Sequence, residues 1–563
     1  MKKWYKSWYV RSIFSIGIIS LLVFGGYLVG IHKLPPYWFI RRVELNLFGQ
    51  TFEKIAEVKI PESYDSIFLR LYSNQADISN RLTRDGRGGG LTSFGDAALL
   101  LTHDGQVFSV RSAKDIEDTE IAVPENGFSA YQQVAETDQY KDLKHNFGLF
   151  RYNDILFYDA PKTRGLAISY TEFDSTGNCY RNAIAILPLS SEIQSVEQVS
   201  AQPTDWDVIY RTQPCLPLKS INNALEGGLA GGRIAFQAPS TIFLGSGDYH
   251  WDGMYAPDAI AQNPDFEYGK IIGINLESRQ SRIVSTGIRN PQGIAFDNNG
   301  ELWTVEHGLR GGDELNHIQE GVNYGWPVET LGTQYSKLPV PNATSYGRHN
   351  TFKEPVFAWL PSVAISNLTL INRFHESWDG DLLMASLKSM SLFHIRIKDD
   401  RVLFSEQIEI GERIRYVHQH TDGRLILWTD SGKLLFLTGQ PYTDNFVNDY
   451  LVDKISNENF RNKIKTTINT CRECHSIDPG DHASAPSLAS IFNAPIGSTD
   501  YENYSTSLKG KKGIWTRDNL KKFLLDPAKF APGTTMPAQG LQNDATLEEL
   551  VNLLEALNHK SPN

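Results

Sequence analysis

Residues 289–327 read RNPQGIAFDNNGELWTVEHGLRGGDELNHIQEGVNYGWP. Apolar and polar residues alternate from Arg289 to Asn299-Gly300, and alternate again through Leu302, Trp303 and Val305. A period of two on both sides of an Asn-Gly pair predicts a β-hairpin with a tight turn. The second strand runs into Glu306-His307-Gly308-Leu309-Arg310-Gly311-Gly312-Asp313-Glu314, where three glycines and four charged residues share nine positions. Such a composition does not build a core. Glycine lets the backbone turn its carbonyls to one side, and hard cations such as calcium take carbonyl and carboxylate oxygens. A functional loop is expected here, with a solvated turn at a sheet edge as the plainer alternative.

The same form recurs outward from this hairpin, at 97–110 about Asp104-Gly105, at 234–247, and at 417–429 about Asp422-Gly423. No helical period of comparable strength falls between residues 90 and 440. Repeated hairpins over that length predict a β-propeller whose strand ends gather round a central channel, with an array of β-sandwiches as the alternative. The 11 Trp and 24 Tyr suit pleated surfaces. Residues 40–90 carry no readable pattern. At 563 residues the chain is too long for one core. A net charge of −11 leaves no basic surplus to neutralise phosphates, which argues against a nucleic-acid partner.

Residues 12–31, SIFSIGIISLLVFGGYLVGI, are uncharged and match the length of a membrane-spanning helix. Lys2, Lys3, Lys6 and Arg11 precede them, so the N-terminus is expected on the cytoplasmic side. Trp4, Tyr5, Trp8, Tyr37 and Trp38 flank the run as an interfacial belt does. A cleaved signal peptide is the competing reading, and no small-x-small cleavage site precedes Lys33-Leu34-Pro35-Pro36. The expectation is a cytoplasmic start and anchor over 1–35, with everything beyond outside the cytoplasm. In that compartment Cys179 and Cys215 are expected to form a disulfide rather than a metal pair.

Past Gly439-Gln440-Pro441 the composition changes. Residues 441–461 read as a polar linker, and 462–563 as a separate helical domain in which Leu550, Leu553, Leu554 and Leu557 recur at helix spacing. Within it stands Cys471-Arg472-Glu473-Cys474-His475. Two thiols two residues apart can be tied to both vinyl groups of one haem, and the adjacent His475 then meets the iron. Met536, in Pro532-Gly533-Thr534-Thr535-Met536-Pro537, is the expected second axial ligand. A redox Cys-x-x-Cys or a zinc site is the alternative, though no second cysteine pair accompanies it. The domain resembles class I cytochromes c, with Pro486, Tyr504-Ser505, Trp515, Phe523-Leu524 and Pro527 where that family places its proline turn, aromatic packing and pre-methionine helix.

The middle of the chain, over 40–440 and most clearly from Gly231 to Leu437, resembles the glucose/sorbosone dehydrogenase family. That resemblance implies a six-bladed propeller holding pyrroloquinoline quinone (PQQ) with calcium. PQQ carries three carboxylates, which call for fixed cations. The family's Arg-Asn-Pro-Gln-Gly stands here as Arg289-Asn290-Pro291-Gln292-Gly293, and its lysine after Gly-Asp-Leu is Lys388, following Gly380-Asp381-Leu382. Its Arg-Ile-Arg is Arg413-Ile414-Arg415, and its Thr-Asp is Thr429-Asp430. The two calcium-binding carbonyls implied are those of Gly308 and Leu309, where the family has Gly-Pro. Asp313 and Glu314 are read as a second, structural calcium site or as solvated charges.

One departure outweighs these matches. Where the family carries His-x-Gly-Gly-Arg, with the histidine taking the sugar's hydroxyl proton, this chain has Leu229-Ala230-Gly231-Gly232-Arg233. Leucine accepts no proton, so Asp248, His250 or His307 must substitute if turnover is retained. The expectation is an all-β six-bladed propeller with an N-terminal transmembrane helix and a C-terminal all-α cytochrome c domain. It would oxidise a sugar or alcohol at PQQ and calcium, with Asp248, Arg289 and His250 catalytic, and pass electrons through haem c to a respiratory acceptor. The second reading is an electron-transfer cytochrome whose propeller only docks or binds a ligand.

Overall fold

The computed structural model describes residues 63–558, apart from 84–86, 141–146, 221–222, 226, 255, 257, 440–444, 473, 478–484, 490, 500, 502, 539 and 543. The run at 12–31 lies outside the described residues. Among the described residues no helix is long and apolar enough to cross a membrane. The chain divides into two compact units, Met1–Gly439 and Gln440–Asn563.

In the first unit six antiparallel sheets form the blades of a propeller. Their innermost strands are Gly89–Phe94, Tyr152–Ala160, Gly231–Gln237, Pro291–Phe296, Ile365–Leu370 and Ile414–Gln419, in blade order one to six. Each touches the next, and the sixth touches the first, so the ring is closed. The hairpin read at 289–306 is the inner pair of blade four, Pro291–Phe296 against Leu302–Glu306, with Gly300 at φ 81° in its turn. Blade six is completed by Arg70–Asp77, which pairs with Lys433–Thr438. The last blade is thereby built from both the start of the described chain and its late strands, which ties the two together.

The inner strands of blades two to six share one irregularity. Their register shifts near the start, at Asn153, Gly232, Gln292, Ser366 and Arg415. A bulge at that position re-aims a side chain or carbonyl. The result is gathered by Arg233, which is 4% exposed. Its Nε donates to Gln292 O (3.0 Å), its Nη1 to Gly89 O and Asn153 O (2.8 Å each), and its Nη2 to Ser366 O (3.2 Å) and Arg415 O (3.3 Å). Those are one carbonyl from each of the other five blades, and they use all five N–H bonds of the guanidinium. The Tyr416 ring lies 4.6 Å away and Asp154 Oδ1 3.7 Å away. Burial pushes the Asp154 carboxyl up to about 6, with Arg233 opposing.

One short helix interrupts the β region where none was expected. Phe128–Ala135 buries Tyr131 and Ala135 against Phe150, Phe173 and Tyr180. Cys179 and Cys215 are bonded, with their Cα atoms 5.6 Å apart.

The second unit is helical, with Glu458–Arg472, Arg517–Leu525 and Ala545–Leu557 meeting over Ile464, Ile468, Leu520, Leu550 and Leu554. Ala545–Leu557 begins where Asp544 accepts from Thr546 N at 2.8 Å. The polar linker expected at 441–461 is corrected, because Asn445–Lys454 is a helix and Glu458–Arg472 starts inside that interval. Val447, Leu451 and Ile455 recur every four residues and are buried, a sparse apolar stripe that a polar stretch conceals.

Arg233→Met removes the cation bonded to all five partner blades and takes from Asp154 its nearby counter-charge. The expected loss is about 3–5 kcal/mol of propeller stability in urea unfolding, with helical content in the second unit retained. A loss below about 1 kcal/mol would show that the hub is not holding the ring.

Candidate functional site

The starts of the inner strands and the ends of their neighbours lie on one face, and the expected site residues come from these ends. Arg289 precedes the inner strand of blade four. It is 4% exposed, and its Nη1 donates to His307 O at 2.7 Å and Gly308 O at 2.6 Å, with the Trp326 ring 5.2 Å away. Its Nε is buried with no hydrogen-bond partner among the described residues. Two carbonyls of the Glu306–Glu314 loop, those of His307 and Gly308, thus converge on this guanidinium. Leu309 turns its side chain into a cluster with Ala261, Trp326 and Val340, and its N–H donates to Gly311 O. Gly308 must be glycine here, because a Cβ would stand 2.2 Å from Gly312 O.

Arg413 and Arg415 converge with Arg87 on one carboxylate. Asp430 accepts from Arg415 Nε (2.8 Å) and Nη2 (3.0 Å) and from Arg413 Nε (3.1 Å), and Arg87 Nε is 3.7 Å away. Burial works against the Asp430 charge, yet Arg415, Arg413 and Arg87 hold its pKa below the ordinary range. Arg151 is buried nearby, donating to Arg87 O and Asn153 Oδ1, and is pushed down to about 9 by burial and by Arg415 and Arg233. Lys388 is exposed and donates to Ser362 O at 3.0 Å. Asn290 spends its side-chain oxygen within the fold, accepting from Gly231 N and Gln292 Nε2.

The acids of the site are turned the other way. Asp248 is fully buried, and its two oxygens accept from His250 N (3.0 Å) and Trp326 Nε1 (2.7 Å). Burial and the neighbouring Asp252 push it up to about 7. Glu306 accepts from Arg289 N and Asn316 Nδ2, and burial raises it to about 7 as well. Asp313 is not solvated. It accepts from Gly308 N, Ser362 Oγ, Val363 N and Ala364 N, tying the loop to the entry of blade five. Glu314 is also buried, 3.8 Å from His349 Nε2, and burial holds it well above its ordinary value. Arg87, Arg151 and Trp326 were not found from the sequence. A tryptophan in Gly325-Trp326-Pro327 within a polar loop was the available signal for the last.

The charge balance fits an anionic ligand. Three arginines share Asp430, Arg289 and Lys388 hold only carbonyls, and Arg289 Nε is an orphaned buried donor. A cleft of about 800 Å³ lined by Tyr158, Lys162, Arg164 and Arg279 lies at the 160–163 turn, the other end of these strands, and takes no part.

In the second unit His475 Nδ1 lies 2.6 Å from Pro486 O. A carbonyl only accepts, so Nδ1 carries the hydrogen and Nε2 keeps its lone pair for a metal. Burial lowers the His475 pKa, with the Pro486 bond opposing, which favours this neutral ring. Cys471 lies in the last turn of the helix Glu458–Arg472, and Cys474 and His475 hang from its end through N–H bonds to Cys471 O. Met536 packs at the edge of the same core that holds Cys471. Trp515 stacks on Phe530 at 5.6 Å. These residues suit a covalently held haem.

The Glucose / Sorbosone dehydrogenase family model matches residues 153–436. Aldose sugar dehydrogenase YliI of Escherichia coli (strain K12) is 31% identical over 301 residues, covering 50% of this chain and 75% of that protein. A cytochrome c of Guizotia abyssinica is 33% identical over 87 residues, covering 15% of this chain and 78% of that protein. Among solved structures, the soluble aldose sugar dehydrogenase from Escherichia coli in its apo-form superposes with a TM-score of 0.50 at 25% identity, over 65% of this chain and 100% of that one.

The raised pKa of Asp248 makes a signed prediction. Its folded value, about 7, exceeds the unfolded 3.8, so the folded state holds the extra proton and Asp248 costs stability increasingly from about pH 4 to pH 7. Asp248→Asn removes that slope. The stability difference between variant and parent should move in the variant's favour by about 4 kcal/mol between pH 4 and pH 8. A difference independent of pH would contradict it.

Proposed function

Because the chain belongs to the glucose/sorbosone dehydrogenase family and carries a cytochrome c region at its C-terminus, we propose that it is a quinohaemoprotein dehydrogenase that oxidises a sugar. The observation that carries this reading is the surplus of cations at the head of blades four to six, with Arg289 Nε buried and unsatisfied. Arg289, Arg413, Arg415 and Lys388 would hold PQQ by its carboxylates, and the Gly308 and Leu309 carbonyls would hold calcium. Bound there, PQQ supplies two-electron oxidation of a sugar hydroxyl, calcium polarises the quinone, and the haem supplies a one-electron outlet. Cys471 and Cys474 would anchor the haem, with His475 and Met536 as axial ligands.

The chain's own residues set the conditions. Asp313 fixes Gly308 N, so the carbonyl-bearing loop is rigid before any cation arrives. Glu306 holds Arg289 by its backbone N–H, leaving the guanidinium to face the ligand. The reading also places the chain at the cytoplasmic membrane, anchored through residues 12–31, with the bulk outside the cytoplasm and electrons leaving to a respiratory acceptor. The apolar run, the Cys179–Cys215 disulfide and a Cys-x-x-Cys-His haem motif all support that compartment.

Purified full-length chain given PQQ and calcium, then aldoses, should show sugar-dependent reduction of the haem in its visible spectrum. Arg289→Ala is expected to weaken PQQ binding about 10–100-fold, and chelation of calcium should stop turnover. Failure of the parent to bind micromolar PQQ would overturn the dehydrogenase reading. For the haem, Met536→Leu should lower the midpoint potential, since a thioether stabilises ferrous iron. An unchanged potential would remove Met536 from the axial position.

A further inference from the structure

We propose that the substrate is an anionic sugar, an aldose bearing a carboxylate or a phosphate, and that Arg87 is the residue that selects it. This names the substrate class of the proposed dehydrogenase and rests on that reading. Arg87 precedes Gly89–Phe94, the inner strand of blade one. Its backbone is fixed on both sides. The N–H donates to Gly148 O at 3.3 Å, and the carbonyl accepts from Arg151 Nη1 at 2.7 Å. The next carbonyl, that of Gly88, accepts from Trp428 Nε1 at 3.2 Å. A Cβ on Gly88 would stand 2.6 Å from Arg151 Cδ and 3.0 Å from Tyr152 O, so the segment is packed tightly against the entry of blade two. The Arg87 side chain is nevertheless 56% exposed. A held backbone beneath an open cation is the arrangement a recognition residue needs.

Arg87 differs from the two arginines with which it shares Asp430. Arg415 and Arg413 together hydrogen-bond both oxygens of that carboxylate, whereas Arg87 Nε stays 3.7 Å away. Among the described residues no carboxylate comes closer to it. Arg413 also leans to blade five, donating to Leu387 O at 3.3 Å. The cations assigned to the cofactor therefore come from blades four to six, and the heads of blades one to three remain for a sugar lying beside it. Those heads pack on one another. Gly148, which holds Arg87 N, is followed by Leu149, and a Cβ on Gly227 would stand 2.5 Å from Leu149 O. One on Gly228 would stand 3.7 Å from Leu149 Cδ1. Through this one turn Arg87 is joined to the segment that enters blade three.

The charge around Arg87 favours an anion over a neutral sugar. Asp430 is one carboxylate among Arg87, Arg413 and Arg415, and the buried Arg151 adds a fourth guanidinium. The crowding is felt at Arg151, which burial, Arg415 and Arg233 push down to about 9. An incoming carboxylate or phosphate relieves that repulsion, and a hydroxyl does not. Arg87 stays protonated at any working pH, and its planar fork suits two oxygens of one anion. Its part is to bind and orient the sugar; it carries neither the hydride nor the proton.

The test uses the full chain given PQQ and calcium, with haem reduction as the readout. Glucose and galactose are compared with their uronates and their 6-phosphates, which carry the anion on the same carbon. The parent's kcat/KM should be at least about tenfold higher for the uronates or the 6-phosphates than for the neutral sugars, and the better of the two names the anion. R87Q should raise KM for that substrate about 10–100-fold with little change in kcat, and R87K should recover part of the loss. R87A replaces R87Q if the latter folds poorly. Calorimetry on the cofactor-free chain should show the same anionic sugar bound more weakly by R87Q than by the parent. Neutral sugars used as well as the anionic ones, an unchanged KM in R87Q, or equal binding heats overturn the assignment and leave the dehydrogenase reading standing. Absence of haem reduction by every one of these sugars overturns both.

Discussion

A propeller must hold six sheets round a hole, and here the hole is closed by one guanidinium. Arg233 offers five N–H bonds in a planar fork, and each reaches a carbonyl of a different blade. A fork with that many fixed donors suits a ring with one acceptor per blade better than an ammonium, which has three. The acceptors are available because bulges free carbonyls that an unbroken ladder would have consumed. The same bulges put Gln292 and Arg415 at the head of the channel. Closing the ring and shaping the site are one event in the backbone.

From that ring the site inherits its position. Arg289, Asp248, Lys388 and Asp430 lie at strand ends on one face, and those ends are placed by sheets that cannot slip without flipping their apolar faces outward. Loops hung on such a frame can carry conformations that a free loop would refuse. Tyr249 and His250 in the left-handed region are one instance. The Gly308–Gly312 turn, where a Cβ on Gly308 would stand 2.2 Å from Gly312 O, is another.

What the sequence disclosed follows from the range of each interaction. The 291–306 hairpin was legible because alternation and an Asn-Gly turn are local signals. The strand Arg70–Asp77 was not, because RLYSNQAD has little alternation and its partner, Lys433–Thr438, lies more than three hundred residues away. The short helix Phe128–Ala135 was missed because its buried face is two residues wide. At the site, Arg289, Arg413, Arg415 and Lys388 were found through family motifs. Arg87 and Arg151 were not, since an arginine at a strand end reads as a rim charge until the ring brings it to Asp430 or into the channel. The roles of the acids were misread for a related reason. Composition shows that Asp313 and Glu314 are charged, but not that both are buried and that Asp313 is bonded to backbone N–H groups.

That last point gives the site its electrostatic character. Asp248, Glu306 and Asp313 all spend oxygens on backbone N–H groups, those of His250, Arg289 and Gly308 respectively. Each acid holds from behind a segment whose front carries a cation, an imidazole or a carbonyl. Desolvation raises Asp248 and Glu306 far enough to leave them largely uncharged below about pH 7. Their negative field on the bowl is thereby reduced just where Arg289 would otherwise be neutralised. Only Asp430 remains firmly ionised among the cations, and three arginines share it. A layer of half-silenced acids under a layer of fixed cations attracts a polyanion and repels a second cation unless that anion is present.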